Sequence, residues 1–282
     1  RLGNTLLAES PARAEVEHAR ALELYERIGD IRGQARAHIN MGIAARFEAR
    51  IDEASNAFDR AISVAKAAGM PDMWGLAALN LGVAFQQRGE YDRARDRLGE
   101  ALGLFAAAKQ GESQLVALYN MAHVERELGL WDSAAGLYEA TTPLAQRIGQ
   151  SDIEIGATAG GGLCRLELQR FDLAHAALAE VRARLAVRPD WFQGREIAEA
   201  LGIRVDAADG KGDEALSRFE IAVALAEAAD LYSAAWLAVE CAPALFPFDR
   251  PRAFRQIDRF AARVKQLANP ELTRRYESLI LG

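Results

Sequence analysis

The sequence predicts an all-α fold built as a stack of helix pairs. Three observations predict it: a forty-residue period, a surplus of alanine and a scarcity of aromatic residues. Phe, Trp and Tyr make up 7% of the 282 residues, whereas the fifty-seven alanines suit tightly packed helices. A sheet protein would need more Val, Ile and Thr. Length alone allows one large domain or two ordinary ones. The period replaces that choice with small units sharing one continuous core.

The period is read from a bulky residue followed by an acid at Ile51-Asp52, Tyr91-Asp92, Trp131-Asp132 and Phe171-Asp172, with Lys211-Gly212-Asp213 continuing the series. Two residues after each Asp stands Ala54, Ala94, Ala134, Ala174 or Ala215; four further on come Phe58, Leu98, Tyr138, Leu178 and Phe219. Ala61, Ala101, Thr141, Val181 and Ala222 follow three later, and spacings of four and three place all of them on one helix face. A second helix in each unit repeats Asn40-Met41-Gly42, Asn80-Leu81-Gly82 and Asn120-Met121-Ala122. Gly29, Gly69 and Gly149 mark helix ends, and Gly89 and Gly129 the turns inside a unit. The Asp after each turn is expected to accept from free N–H groups at the start of the next helix.

The elements in order are a half unit at 1–31, then units at 32–71, 72–111, 112–151, 152–190 and 191–230. Pro243, Pro247 and Pro251 are expected to punctuate a short connection. Residues 252–267 and 271–280 then read as closing helices, so that 231–282 caps the apolar end of the stack as part of the same domain.

Leu81-Gly82, Phe85, Gly89, Tyr91, Ala94, Leu98 and Ala101 together resemble a tetratricopeptide repeat, and the flanking units match nearly as well. Units of forty residues are similar to the arrays of Pins-type adaptors, bacterial Rap-type peptide sensors and maltose-activator-type regulators. The resemblance covers residues 1–230 and implies a right-handed α-α superhelix. It also implies a concave groove lined by the first helix of each unit. Arg36, Asn40 and Ile43 would line it in one unit, Asn80, Val83 and Gln87 in the next, and Tyr119, Asn120 and His123 in the third.

An Asn amide both donates and accepts, which suits it to holding an extended peptide backbone. The alternative is that the three Asn residues bond to a neighbouring helix and set unit spacing. Arg36, Arg46 and Arg126 are expected to give the groove positive points for a partly acidic ligand. The carboxylate clamp of chaperone-binding repeats is not expected, because the four lysines, at 66, 109, 211 and 265, lie off the groove face. Gly156 and Gly160-Gly161-Gly162 mark a kink, a close ligand approach or close helix packing.

Other chemistry is sparse. The formal charge of -6 gives no global positive field for nucleic acid. The local exception is Arg255, Arg259 and Arg263, a stripe that is either a solvated face or a contact with nucleic acid, an acidic domain or the rest of a parent chain. Cys164 and Cys241 are expected as buried thiols without a disulfide or metal cage. His18, His38, His123 and His175 lack metal-ligand spacing, and Asp209–Asp213 reads as a turn rather than a calcium loop. The apolar stretch 219–248 is interrupted by acids and prolines, so no membrane span is expected.

No catalytic motif and no cofactor site is read from the sequence. The chain begins with Arg, without a charged-then-apolar leader, and reads as cytoplasmic or as a piece of a longer protein. The function expected is capture of a protein or peptide by a non-enzymatic scaffold or sensor. The alternative is the ligand-responsive solenoid of a larger bacterial transcription or signalling protein.

Overall fold

The computed structural model describes residues 11–48, 50–188, 190, 192, 194–264 and 269–281, with side chains from residue 15 onward. The half unit at 1–31 and the closing helix at 252–267 therefore lie partly outside the described residues, as does Lys265. All regular structure among the described residues is helical. Two compact units are present, one ending at Val124 and one beginning at Glu125.

The first unit holds α1 (Pro11–Ile28), α2 (Ile31–Phe47), α3 (Ile51–Ala67), α4 (Pro71–Gln87), α5 (Tyr91–Ala107) and most of α6 (Gly111–Glu127). Successive helices from α1 through α5 pack on one another, and the first helices α2 and α4 also pack together. Five successive helices, α2 to α6, are seventeen residues long, about 25 Å each. A left-handed residue separates helices at twenty-residue steps: Gly69, Gly89, Lys109, Gly129, Gly149 and Gln169 all have positive φ. Two of them are not glycine, with Lys109 at φ 53° and Gln169 at φ 57°. Glycine would occupy that conformation without strain.

The repeating small residues are contact points for rings and branched chains. A Cβ on Gly42 would stand 2.5 Å from the Phe58 ring, and one on Gly82 would stand 2.8 Å from Leu98 Cγ. Phe58, Leu98, Ala54 and Ala94 are fully buried, so the two periodic sets meet face to face.

The Asp residues after the turns do not cap. Arg50, Glu90, Leu130, Arg170 and Lys211 occupy the cap positions without a side-chain bond, which puts the acids two positions too far into the helix. They favour the helix dipole there. Asp52 and Asp132 also form rungs between repeats, with Arg88 and with Arg170 at 2.9 Å, and Asp72 in the first turn of α4 does the same with Arg32 at 2.6 Å.

The second unit continues with α7 (Trp131–Ile148), α8 (Ser151–Glu167), α9 (Phe171–Ala186), α10 (Arg195–Ala208), α11 (Gly212–Ala229), α12 (Leu231–Asp258) and α13 (Pro270–Leu281). α8, α10 and α12 pack on one another as the inner layer, and one buried cluster runs from Ile155 to Tyr276. The glycine run in α8 is close packing, and the helix is continuous across it. A Cβ on Gly160 would meet the Tyr138 ring at 2.4 Å, and one on Gly162 would meet Leu201 at 2.7 Å. Gly160 stands where earlier units carry Asn, because the larger Tyr138 leans into that place.

The expected proline connection is also overturned. Pro243 and Pro247 lie inside α12, and the helix breaks only at Asp249, where φ is -152° and ψ is 86°. Asp249 Oδ1 then accepts from Arg252 N at 2.9 Å and restarts the helix with Pro251 in its first turn. α12 is also the one helix among the described residues long and apolar enough to cross a membrane, yet most of its apolar window is buried inside the protein. Cys164 and Cys241 are free and buried, and burial pushes the Cys164 thiol up to about 11. Asp209 is engaged by His175 Nε2 at 2.9 Å and Lys211 Nζ at 2.7 Å beside a left-handed Gly210, which makes 209–213 the turn into α11.

Candidate functional site

Two places deserve a chemical description, one in each unit. The first is the Asn row. Asn40, Asn80 and Asn120 occupy the same turn of α2, α4 and α6, and all three are half-buried. Asn80 Nδ2 donates to Leu76 O and Asn120 Nδ2 to Val116 O, each at 2.8 Å. The amides of Asn80 and Asn120 are thus anchored on their own helices. An Asn amide has two N–H donors and a carbonyl oxygen, so a single bond of this kind leaves it able both to donate and to accept.

Around the row, Arg36 and Gln87 are exposed, Ile43 and Val83 are half-buried, and Leu76 and Val116 present apolar surface. Tyr119 and His123, one turn apart on α6, stack edge to face at 4.4 Å. Arg46 is partly buried near the Phe47 ring, 5.2 Å from its centroid, and burial lowers its pKa. The surface therefore has apolar and amide character with one exposed cation, Arg36.

Arg126 is not a groove cation. Its side chain is 6% exposed, its guanidinium lies 5.1 Å from the Trp236 ring centroid, and it pairs with Glu127. The physical reason is Glu240, whose carboxylate sits within α12 and draws three guanidinium groups. Arg204 Nη1 donates to it at 2.8 Å, Arg275 Nη2 at 2.6 Å, and Arg126 Nη1 lies 3.9 Å away. Burial would push the Glu240 carboxyl up, but Arg126, Arg275 and Arg204 hold it at about 2. Arg204 also pairs with Glu167 at 2.5 Å, and Arg275 with Glu127 at 3.4 Å.

These groups line the second place, a cavity of about 480 Å³ that also presents Trp131, Glu271 and Arg274. Sequence reasoning missed Arg204, Glu240 and Arg275. The available signal was Glu240 itself, the single acid between Leu231 and Phe248, which requires counter-charges where it is buried.

The basic stripe is likewise not a uniform contact face. Arg259 and Arg263 both pair with Glu227 of α11, and Arg252 pairs with Glu220 at 2.7 Å, while Arg255 is exposed. Glu220 and Glu227, seven residues apart on α11, meet Arg252 of α12 and Arg259 at its C-cap, also seven apart, a match of spacing that is readable in the sequence.

No protein-family model and no curated protein sequence matches the chain. Solved structures do. A Rap protein complexed with competence and sporulation factor is similar over 97% of this chain and 74% of that one, at TM-score 0.72 and 15% identity. A signal transduction ATPase with numerous domains from Pyrococcus horikoshii, which carries a tetratricopeptide repeat sensor, is similar over 91% of this chain and 37% of that one, at TM-score 0.65 and 15% identity. The fold is that of tetratricopeptide-type repeat proteins. Aspartyl phosphate phosphatase F from Bacillus subtilis shares this tetratricopeptide-type architecture at TM-score 0.73 and 14% identity, over 94% of this chain and 68% of that one.

Proposed function

We propose that the protein is a non-enzymatic sensor or scaffold that captures an extended peptide or partner segment along the Asn row, in a cytoplasmic setting. The observation that carries this reading is the identical anchoring of Asn80 and Asn120 to the carbonyl four residues back. Two amides held in the same orientation on repeated helices offer the same hydrogen bonds at regular intervals, as a peptide backbone requires. Exposed Leu76 and Val116 beside them supply apolar contact for ligand side chains, and Arg36 favours an acidic one. The likeness to a Rap protein complexed with competence and sporulation factor supports the same reading. In it, the repeats of both units belong to one array, and the activity is binding alone.

A second reading is the sensor part of a larger signalling protein. It is favoured by the Pyrococcus horikoshii ATPase, in which a similar repeat array makes up a minor share of the chain.

The test begins with peptides selected from a displayed random library. Asn80→Ala and Asn120→Ala are each expected to weaken the selected peptides about tenfold while circular dichroism is unchanged. Unaltered affinity in both variants would overturn the Asn-row reading.

A further inference from the structure

We propose that the cavity around Glu240 and the apolar recess beside it form a second binding site, for a small zwitterion with an apolar side chain: a free amino acid or a short peptide with charged ends. This goes beyond the Asn row, which lies in the other unit and shares no residue with it.

The argument starts from the charge balance. The cavity is lined by four arginines, Arg126, Arg204, Arg274 and Arg275, and by four glutamates, Glu127, Glu167, Glu240 and Glu271. The lining is therefore neutral as a whole but densely charged. A ligand with one net charge would leave that charge unbalanced in a partly desolvated site, which is costly. A zwitterion adds no net charge and can meet both signs.

The network also retains capacity for it. A guanidinium has five N–H donors. Arg275 gives one N–H to Glu240 and one, at a long 3.4 Å, to Glu127. Arg274 is 71% exposed beside it and pairs with Glu271 through Nε at 2.9 Å and Nη2 at 2.5 Å, so a ligand carboxylate would share this second guanidinium with Glu271. For a ligand ammonium, Glu167 is 32% exposed and Glu127 is 14% exposed, and the Trp131 ring lines the same cavity as a cation-attracting face.

The side chain has a place as well. A recess of about 270 Å³ is lined by Leu166, Phe171, Pro247 and Phe248, and Arg204 and Ala244 border both spaces, which places them side by side. Phe171 and Phe248 are 48% and 43% exposed, so apolar surface at the recess is uncovered. A charged chamber beside an apolar one matches a ligand with two opposite charges at one end and a hydrocarbon side chain at the other. Were the ion network purely structural, apolar packing of the same volume would serve stability at least as well.

The test is calorimetric titration of the full chain with L-leucine and with the dipeptide Leu-Leu. At least one of the two is expected to bind. Its N-acetyl form (no ammonium) and amide form (no carboxylate) should each bind at least tenfold more weakly. Glycine, lacking the side chain, should also bind at least tenfold more weakly.

The stronger of leucine and Leu-Leu assigns the amino-acid or the peptide source. Arg274→Ala, an exposed change, should weaken the stronger ligand about tenfold with the melting temperature unchanged, and Phe171→Ala should narrow the preference for leucine over glycine. The proposal is overturned if neither leucine nor Leu-Leu binds at about 10 mM. It also fails if the acetylated or amidated forms bind as tightly as the parent zwitterion.

Discussion

The unit that ends at Val124 and the unit that begins at Glu125 use the same helix pair for different ends. In the first, the same contacts recur: Gly42 under Phe58 and Gly82 under Leu98, with ion pairs such as Arg32–Asp72 on the surface. In the second, the period loosens as aromatic and charged groups enter the interior. Tyr138 displaces the Asn position, and Glu240 gathers arginines from α6, α10 and α13. The difference teaches that repetition is enough to build a regular stack. A cavity with chemistry needs residues that break the repetition and are compensated from distant parts of the chain.

The largest expected effect breaks the second unit alone. Glu240→Gln leaves three guanidinium groups around a neutral amide and should cost about 3–5 kcal/mol. Hydrogen exchange is expected to rise in peptides from 125–282 and to stay unchanged in those before Val124; equal loss in both would erase the distinction drawn between them. The same residue sets an acid limit. Its folded pKa, about 2, lies below the ordinary value of 4.5, so its contribution is complete above 4.5 and is lost as pH falls towards 2. Acid unfolding should therefore begin in the second unit, and Glu240→Gln should flatten the pH dependence there.

A smaller effect probes the first unit's packing rule. Gly42→Ala places a Cβ against the Phe58 ring and should cost about 2 kcal/mol by overpacking. Gly161→Ala, whose new Cβ would meet only an ordinary contact at 3.5 Å, should instead gain about 0.5–1 kcal/mol from helix propensity. Denaturant midpoints of the two variants moving in the same direction would show that glycine is not placed by contact.

The smallest effect concerns the turns. Lys109→Gly should raise stability by about 0.5–1 kcal/mol, a few degrees in melting temperature, by relieving a left-handed backbone. A lower melting temperature would mean that the Lys109 side chain contributes more than its backbone strain costs.

Much of the fold was legible because its causes are local or periodic. The bulky–acid pairs, the alanines at positions such as 54 and 94, and the turn glycines located the helices α3 to α9 closely. Asn40, Asn80 and Asn120 were equally visible as a row, since a forty-residue step returns each to the same helical turn. The role of the acids after the turns was misplaced by two positions, because capping depends on where φ and ψ become helical rather than on residue type. Pro243 and Pro247 failed as breakers because tertiary packing holds α12 together through them.

The sequence by itself determined the repeat, the all-helical class and the alignment of the Asn row, since each follows from spacing along one chain. Only the tertiary structure decided where the charges went. Arg126 reads on the helix as a groove cation and became a buried partner of Glu240, 114 positions later. Arg259 and Arg263 read as an open stripe and closed onto Glu227. Helical period fixes the face on which a residue stands, but the strength of an ion pair depends on distance and desolvation, which are properties of the packed chain.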